Sequence, residues 1–174
     1  MLDRDGVINE DSDQYIKSPE EWIPVPGSLD AIARLTAAGY RIFVATNQSG
    51  IARGKYTLDT LQAIHETMEQ AVAEAGGRID GIFYCPHGPE DGCDCRKPKP
   101  GLLRQIEAAH GISLAGCPYV GDSQRDLVAA RAVGAVPVLV RTGYGAETLA
   151  GLPDDYQDVA VFADLAAFVT ELTG

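Results

Sequence analysis

The sequence predicts an α/β fold, with helices covering both faces of a central parallel sheet. Short apolar runs alternate along the chain with longer segments of helical periodicity, the pattern of parallel strands joined by crossover helices. Each group of chemistry-bearing polar residues follows directly on an apolar run, where an open sheet binds its ligands. A length of 174 residues and a hydrophobic content of 45% fit a single domain, residues 1–174, with a substantial core.

The elements follow in order. Leu2 leads into Asp3-Arg4-Asp5-Gly6-Val7-Ile8-Asn9, where alternation places Asp3 and Asp5 on one face before Gly6 turns the chain away. A strand that delivers Asp3 should hold four or more apolar residues. Only Met1 and Leu2 precede it, so the first strand reads as clipped, by a late start or by missing residues. Residues 10–26, punctuated by Pro19, Pro24 and Pro26, read as a surface loop beside the aspartates. A helix is expected over 28–38, with Leu29, Ile32 and Leu35 on one face and Gly39 as its stop. Tyr40 to Ala45 reads as a strand, and Thr46-Asn47-Gln48-Ser49-Gly50 as the loop at its end. Thr57 caps a helix over 57–75, in which Leu61, Ile64, Met68 and Val72 recur at helical spacing. A strand over 79–84 enters a cysteine loop that runs to Cys95. A helix over 101–109, a brief strand at 119–121, a helix over 127–133 and a buried strand over 136–140 follow. A weak strand at 159–162 and a helix over 164–172 close the chain.

Composition narrows the function. A net charge of −11 argues against nucleic-acid binding, so an anionic substrate would need a local cluster of Arg and Lys. No apolar run is long enough to cross a bilayer. Functional-looking residues begin at position 3, so the chain reads without a signal peptide. Three of the four cysteines crowd into Cys85, Cys93 and Cys95, which in such a chain reads as a metal site in a reducing compartment. With His87, the spacing Cys85-x-His87-x5-Cys93-x-Cys95 offers three thiolates and one imidazole. That set closes a tetrahedral zinc site with no position for water, and such a site is structural. Cys117 stands apart, and His65 and His110 read as ordinary helix residues.

Further groups point to phosphoryl chemistry. Asp3 and Asp5 pair a nucleophile with an acid/base, and Mg2+, a hard cation, suits two carboxylates. Alone, the same Asp-x-Asp-Gly is also a solvated acidic turn. Thr46, with the N–H groups of Asn47 and Gln48, suits a phosphoryl oxygen, although such loops are also simple turns. Lys97 can neutralise a transferring phosphoryl group, and Arg96 can grip a second phosphate through two parallel bonds. In Gly121-Asp122-Ser123-Gln124-Arg125-Asp126, Asp122 would join the first aspartates around one cation. Asp126, four residues on, would lie beneath Asp122 and orient it or Lys97.

Taken together and in order, Asp3-x-Asp5-Gly6, Thr46, Lys97 and Gly121-Asp122-x-x-x-Asp126 resemble the haloacid dehalogenase (HAD) phosphatase superfamily. Adding Asn47-Gln48-Ser49-Gly50-Ile51-Ala52-Arg53-Gly54, Cys85-Pro86-His87 and Cys93-Asp94-Cys95-Arg96-Lys97-Pro98, the chain is similar to a zinc-loop subfamily, the heptose 1,7-bisphosphate 7-phosphatases. The resemblance implies a Rossmann-like three-layer α/β/α sandwich without a cap domain. It implies catalytic Mg2+ and structural Zn2+, and a small sugar bisphosphate as substrate. It further implies a cytoplasmic monomer with no nucleic-acid or membrane partner, feeding nucleotide-activated heptose and lipopolysaccharide synthesis.

The same resemblance implies roles. Asp3 attacks the C7 phosphorus, and Asp5 protonates the leaving oxygen and then activates water. Thr46 and Lys97 stabilise the transferring group. Asp3, the Asp5 backbone carbonyl and Asp122 hold Mg2+, with Asp126 in support. Arg96 meets the C1 phosphate or sugar hydroxyls. Asp11, Ser12, Asp13 and Gln14, with Asn47, Gln48, Ser49, Arg53 and Ser123, bind the remainder of the substrate. Histidinol-phosphate phosphatases carry similar aspartates and a similar zinc loop and are the nearest alternative, beside an enzyme for the alpha anomer. A decayed, non-catalytic zinc-stabilised module and a phosphoryl-transferring mutase lie further off.

Overall fold

The computed structural model describes all 174 residues. Its parallel strands are β1 (Phe43–Asn47), β2 (Gly81–Cys85), β3 (Pro118–Gly121), β4 (Val136–Val140) and β5 (Ala160–Phe162). The helices are α1 (Ser28–Ala37), α2 (Leu58–Glu74), α3 (Gly101–His110), α4 (Gln124–Ala132), α5 (Gly145–Ala150) and α6 (Leu165–Thr173). β1 pairs with β2, and β3 with β4 and β4 with β5, all in parallel. No separate cap domain interrupts this order, in keeping with the capless three-layer sandwich expected.

The start of the chain joins the two groups of strands. Leu2 bridges Val44 of β1 on one side and Val120 of β3 on the other. Its N–H donates to the Phe43 carbonyl and its carbonyl accepts from Ala45, both at 2.9 Å. On the β3 side, Asp3 N–H donates to Val120 and Val120 N–H donates to Met1, also at 2.9 Å. Met1 to Asp3 is therefore the central strand, reduced to three residues, in the order β2-β1-stub-β3-β4-β5.

Alternation along the strands supplies both faces. Val44, Val120, Val138 and Val140 point to one side with Leu2, under Ile32 and Leu35 of α1, Ile64 and Met68 of α2, and Leu165 and Val169 of α6. Phe43, Ala45 and Tyr119 point to the other, against Leu102, Leu103 and Ile106 of α3 and Ala129 and Ala130 of α4. Burial on both faces is why these strands read as apolar runs.

Several boundaries depart from expectation. β1 extends to Asn47, so Thr46 and Asn47 stand within the strand end and not in the loop after it. Residues 10–26 are more than surface: Ile16, Trp22 and Val25 are buried, with a single 3-10 turn at Pro19–Glu21. α4 begins at Gln124, because Ser123 and Asp126 form a capping box that starts the helix among polar residues. The short α5 escaped the periodicity reading, since its length of six residues is less than two turns.

Leu2 is 2% exposed and has core on both sides of the joint. Leu2→Ala should lower unfolding free energy by about 2–5 kcal/mol in urea titrations, the usual range for a buried leucine. A loss below about 1 kcal/mol would show that the two halves do not depend on this joint.

Candidate active site

The carboxyl ends of the stub, β1 and β3 converge on a cavity of about 360 Å3 that Asp3, Asp5, Thr46, Lys97 and Asp122 all line. Gly6, with φ +78°, turns the chain after Asp5. A Cβ on Gly6 would stand 2.1 Å from Asp122 Oδ2, and one on Gly143 would stand 2.2 Å from the same oxygen. The two glycines thus let the Asp122 carboxylate approach the Asp3–Asp5 turn.

Lys97 is at the centre and only 2% exposed. Its Nζ lies 2.7 Å from Asp126 Oδ1 and 2.9 Å from Asp3 Oδ1. It also donates to the Ala45 carbonyl at 2.8 Å and to the Tyr119 hydroxyl at 2.9 Å. Burial works against its charge, but Asp126 and Asp3 hold its pKa well above the ordinary lysine value. Asp126 accepts from Ser123 N–H and Oγ at 3.0 and 2.6 Å through its second oxygen. Although burial opposes it, Lys97 keeps Asp126 below the usual carboxylate range.

The other acids are less satisfied. Burial pushes Asp3 up to about 7, against the pull of Lys97. Burial, with Asp3 and Asp126 close by, pushes Asp122 up to about 8. Carboxylate oxygens of Asp3, Asp122 and Asp126 lie within 4.8 Å of one another. Lys97 is shared between Asp126 and Asp3, so ionising Asp3 and Asp122 together would leave excess negative charge. A hard divalent cation such as Mg2+ fits this oxygen set and would restore both to the ionised form.

Asp5 differs. Burial would raise it, but the Arg4 guanidinium, Asn9 and Gln48 hold it below the usual range. Gln48 Nε2 donates to Asp5 Oδ2 at 2.8 Å and to Thr46 Oγ1 at 2.9 Å, and its carbonyl accepts from Tyr56 at 2.6 Å. The Asn47 amide clasps the Lys97 backbone with two bonds of 3.0 Å. The Asn47 and Gln48 side chains are therefore engaged in fixing the site.

Asp11, Ser12, Asp13, Ser49, Arg53 and Arg96, expected at the substrate, line the cavity. Two expected residues do not. Gln14 is exposed outside the lining, on a segment whose Tyr15 takes φ 64°. Ser123 is turned beneath it to cap α4 on Asp126. The lining residues that were missed include Arg4, Tyr56, Arg125 and Tyr144. Arg125 was legible as the one cation inside the Asp122–Asp126 motif. Tyr144, whose hydroxyl donates to Asp13, follows a strand with no motif to mark it. His65 is also no ordinary helix residue: it is buried and touches Arg4.

Cys85, His87, Cys93 and Cys95 form a second cluster whose ligand atoms all lie within 4.8 Å. Sulfur–sulfur distances are 3.2–3.6 Å, and His87 Nδ1 lies 3.3 Å from Cys95 Sγ. A tetrahedron with zinc–sulfur bonds of about 2.3 Å has edges of about 3.7 Å, so the set fits zinc. Cys117 is remote from it and contacts Ser113. The cluster leads directly into Arg96 and Lys97, and Arg96 Nη1 donates back to the His87 carbonyl at 3.2 Å.

A HAD-hydrolase-like family model matches residues 94–168. The chain is 60% identical to D-glycero-beta-D-manno-heptose-1,7-bisphosphate 7-phosphatase of Pseudomonas putida, across 99% of this chain and 97% of the relative. The crystal structure of D,D-heptose 1,7-bisphosphate phosphatase from Bordetella bronchiseptica, complexed with magnesium and phosphate, superposes with a TM-score of 0.93 at 56% identity. That match covers 98% of this chain and 95% of that one. The corresponding enzyme of Burkholderia thailandensis gives 0.76 at 45% identity, covering 99% and 97%.

Protein purified without chelator should carry about one zinc per chain by elemental analysis. Cys93→Ser should release it and lower the melting temperature by about 5 °C or more. Absence of zinc from the parent protein would contradict the site.

Proposed function

The chain belongs to the D-glycero-beta-D-manno-heptose-1,7-bisphosphate 7-phosphatase family, and from that membership we propose the reaction and the residues that perform it. The enzyme removes the C7 phosphate of D-glycero-beta-D-manno-heptose 1,7-bisphosphate and releases heptose 1-phosphate. The observation that carries this reading is the charge of the cavity. In a chain of net charge −11, Arg53, Arg96 and Arg125 line the same cavity as Lys97 and the nucleophile candidate Asp3. Several cationic side chains in one small cavity suit a sugar with two phosphates.

Asp3 is the nucleophile. Lys97 and the Arg4 N–H, the latter at 2.7 Å, hold Asp3 Oδ1, while no protein group bonds Oδ2. The carboxylate is thus oriented before substrate arrives. Asp3, the Asp5 backbone carbonyl and Asp122 would hold Mg2+, which would neutralise charge on the transferring phosphoryl group. Lys97 and Thr46 stabilise the same group from the protein side. Asp5 gives a proton to the C7 oxygen and later takes one from water. Its low pKa at rest suits the second duty. The first requires a proton, and the one that Asp5 takes from water serves as the donor in the next turnover. Arg96 recognises the C1 phosphate.

We read residues 1–174 as one catalytic domain, acting as a monomer in the cytoplasm. Four unpaired cysteines, three of them in the metal cluster, support a reducing compartment. No helix is long and apolar enough to cross a membrane.

Phosphate release should be fastest with the beta anomer of the heptose bisphosphate, compared with its alpha anomer and histidinol phosphate. Faster turnover of histidinol phosphate would overturn the assignment. Asp3→Asn should leave the circular dichroism spectrum intact and abolish turnover; near-parental activity would remove Asp3 from the nucleophile role. Arg96→Ala should cut kcat/KM for the bisphosphate by about 10- to 100-fold. It should change 4-nitrophenyl phosphate far less. Equal losses would place Arg96 on the reacting phosphate or in the fold.

A further inference from the structure

Between the two catalytic aspartates stands a residue to whose side chain the reaction above assigns no part. Arg4 is 1% exposed, a full guanidinium inside the protein. Its Nε donates to Asp5 Oδ1 at 3.0 Å. Its Nη2 donates to Asp5 Oδ1 and Oδ2 at 2.8 and 3.1 Å, and to Gln48 Oε1 at 3.2 Å. The remaining nitrogen, Nη1, faces His65 Nε2 at 3.2 Å.

This last contact has one chemical solution. A guanidinium only donates, so His65 Nε2 must accept and its proton must sit on Nδ1. The imidazole is neutral: burial, with Arg4 alongside, pushes its pKa down to about 3. His65 comes from the buried face of α2, beyond the cavity lining, where Leu61, Ile64 and Met68 fix the helix. It is therefore a rigid acceptor behind a cation that grips the Asp5 carboxylate on both oxygens. A buried charge with an unmet donor is strongly disfavoured, so Arg4 is held in this pose only while His65 accepts.

Resting on the reading of Asp5 as acid/base, we propose that Arg4, propped by His65, is the positioning residue that aims the Asp5 carboxylate at the leaving-group oxygen. Asn9 and Gln48 bond the same carboxylate, at 2.9 and 2.8 Å, but both are neutral amides. Arg4 alone fixes the plane of the carboxylate through a fork of donors. His65 touches neither substrate nor Asp5 and acts only through Arg4.

The test separates aim from fold by leaving group. Proton donation matters for a sugar alkoxide and little for 4-nitrophenolate, so kcat/KM through the first phosphoryl transfer reports the acid selectively. His65→Phe keeps the ring and removes the acceptor. It should lower kcat/KM for the heptose bisphosphate about 10-fold and leave 4-nitrophenyl phosphate within about twofold. His65→Gln, which restores an acceptor, should recover the parental ratio. Arg4→Lys keeps the charge without the fork and should show the same selective loss, and it carries the test if His65→Phe does not fold. Equal losses on both substrates, or none, would overturn the positioning role. Asp5→Asn measured alongside distinguishes the two levels. A selective loss there with none in the Arg4 and His65 variants refutes only this proposal. No selective loss in Asp5→Asn refutes the acid role itself.

Discussion

The structure depends on one buried ammonium. Lys97 Nζ bonds Asp126 of α4, Asp3 of the central stub, the carbonyl of Ala45 in β1 and the hydroxyl of Tyr119 in β3. It thereby ties together the elements that meet at the carboxyl edge of the sheet. Burying one charge is costly, and removing any partner would leave another charge exposed to a low dielectric. The cluster tolerates burial because each polar atom of Lys97 and Asp126 is met: Asp126 has Lys97 on one oxygen and the Ser123 cap on the other. The same ammonium that closes the fold also holds Asp3, the carboxylate proposed as nucleophile.

Delivery of that lysine explains the metal-binding loop. Residues 85–95 contribute little apolar surface, apart from the cysteines themselves packing on the second core face. Fixed by its ligand cluster, the loop ends in Arg96 and Lys97, which both line the cavity, the lysine almost fully buried. The Asn47 amide clamps the Lys97 backbone from β1. A structural site and a catalytic site are thus adjacent in sequence because the first holds the end of the loop that supplies the second.

Much of this was legible in the sequence. Asp3, Asp5 and Asp122 stand at strand ends and carry chemistry that their positions announce, Lys97 follows the cysteine loop, and the Cys/His spacing is specific. The alternation of apolar strands and amphipathic helices fixed the layering, since both faces of the sheet are covered. What stayed hidden was set by tertiary packing. Arg4 reads as solvated beside two acids, and nothing local says that α2 will place His65 against it. Gln48 reads as a substrate contact at a loop, but four neighbours engage its side chain. Tyr56 and Tyr144 reach the cavity from segments without a motif. The residues before Asp3 read as a clipped strand; that they join both halves rests on backbone bonds to two strands that sequence does not pair.

The central claim is that Asp3, held by Lys97, accepts the phosphoryl group. Rapid quench of enzyme turning over bisphosphate labelled at C7, followed by peptide mass spectrometry, tests it most directly. The account predicts a transient acyl phosphate on the peptide containing Asp3, localised to that residue and absent in Asp3→Asn. Phosphate trapped on Asp5 or Asp122, or full turnover with no phosphoenzyme under conditions that preserve acyl phosphates, would contradict it.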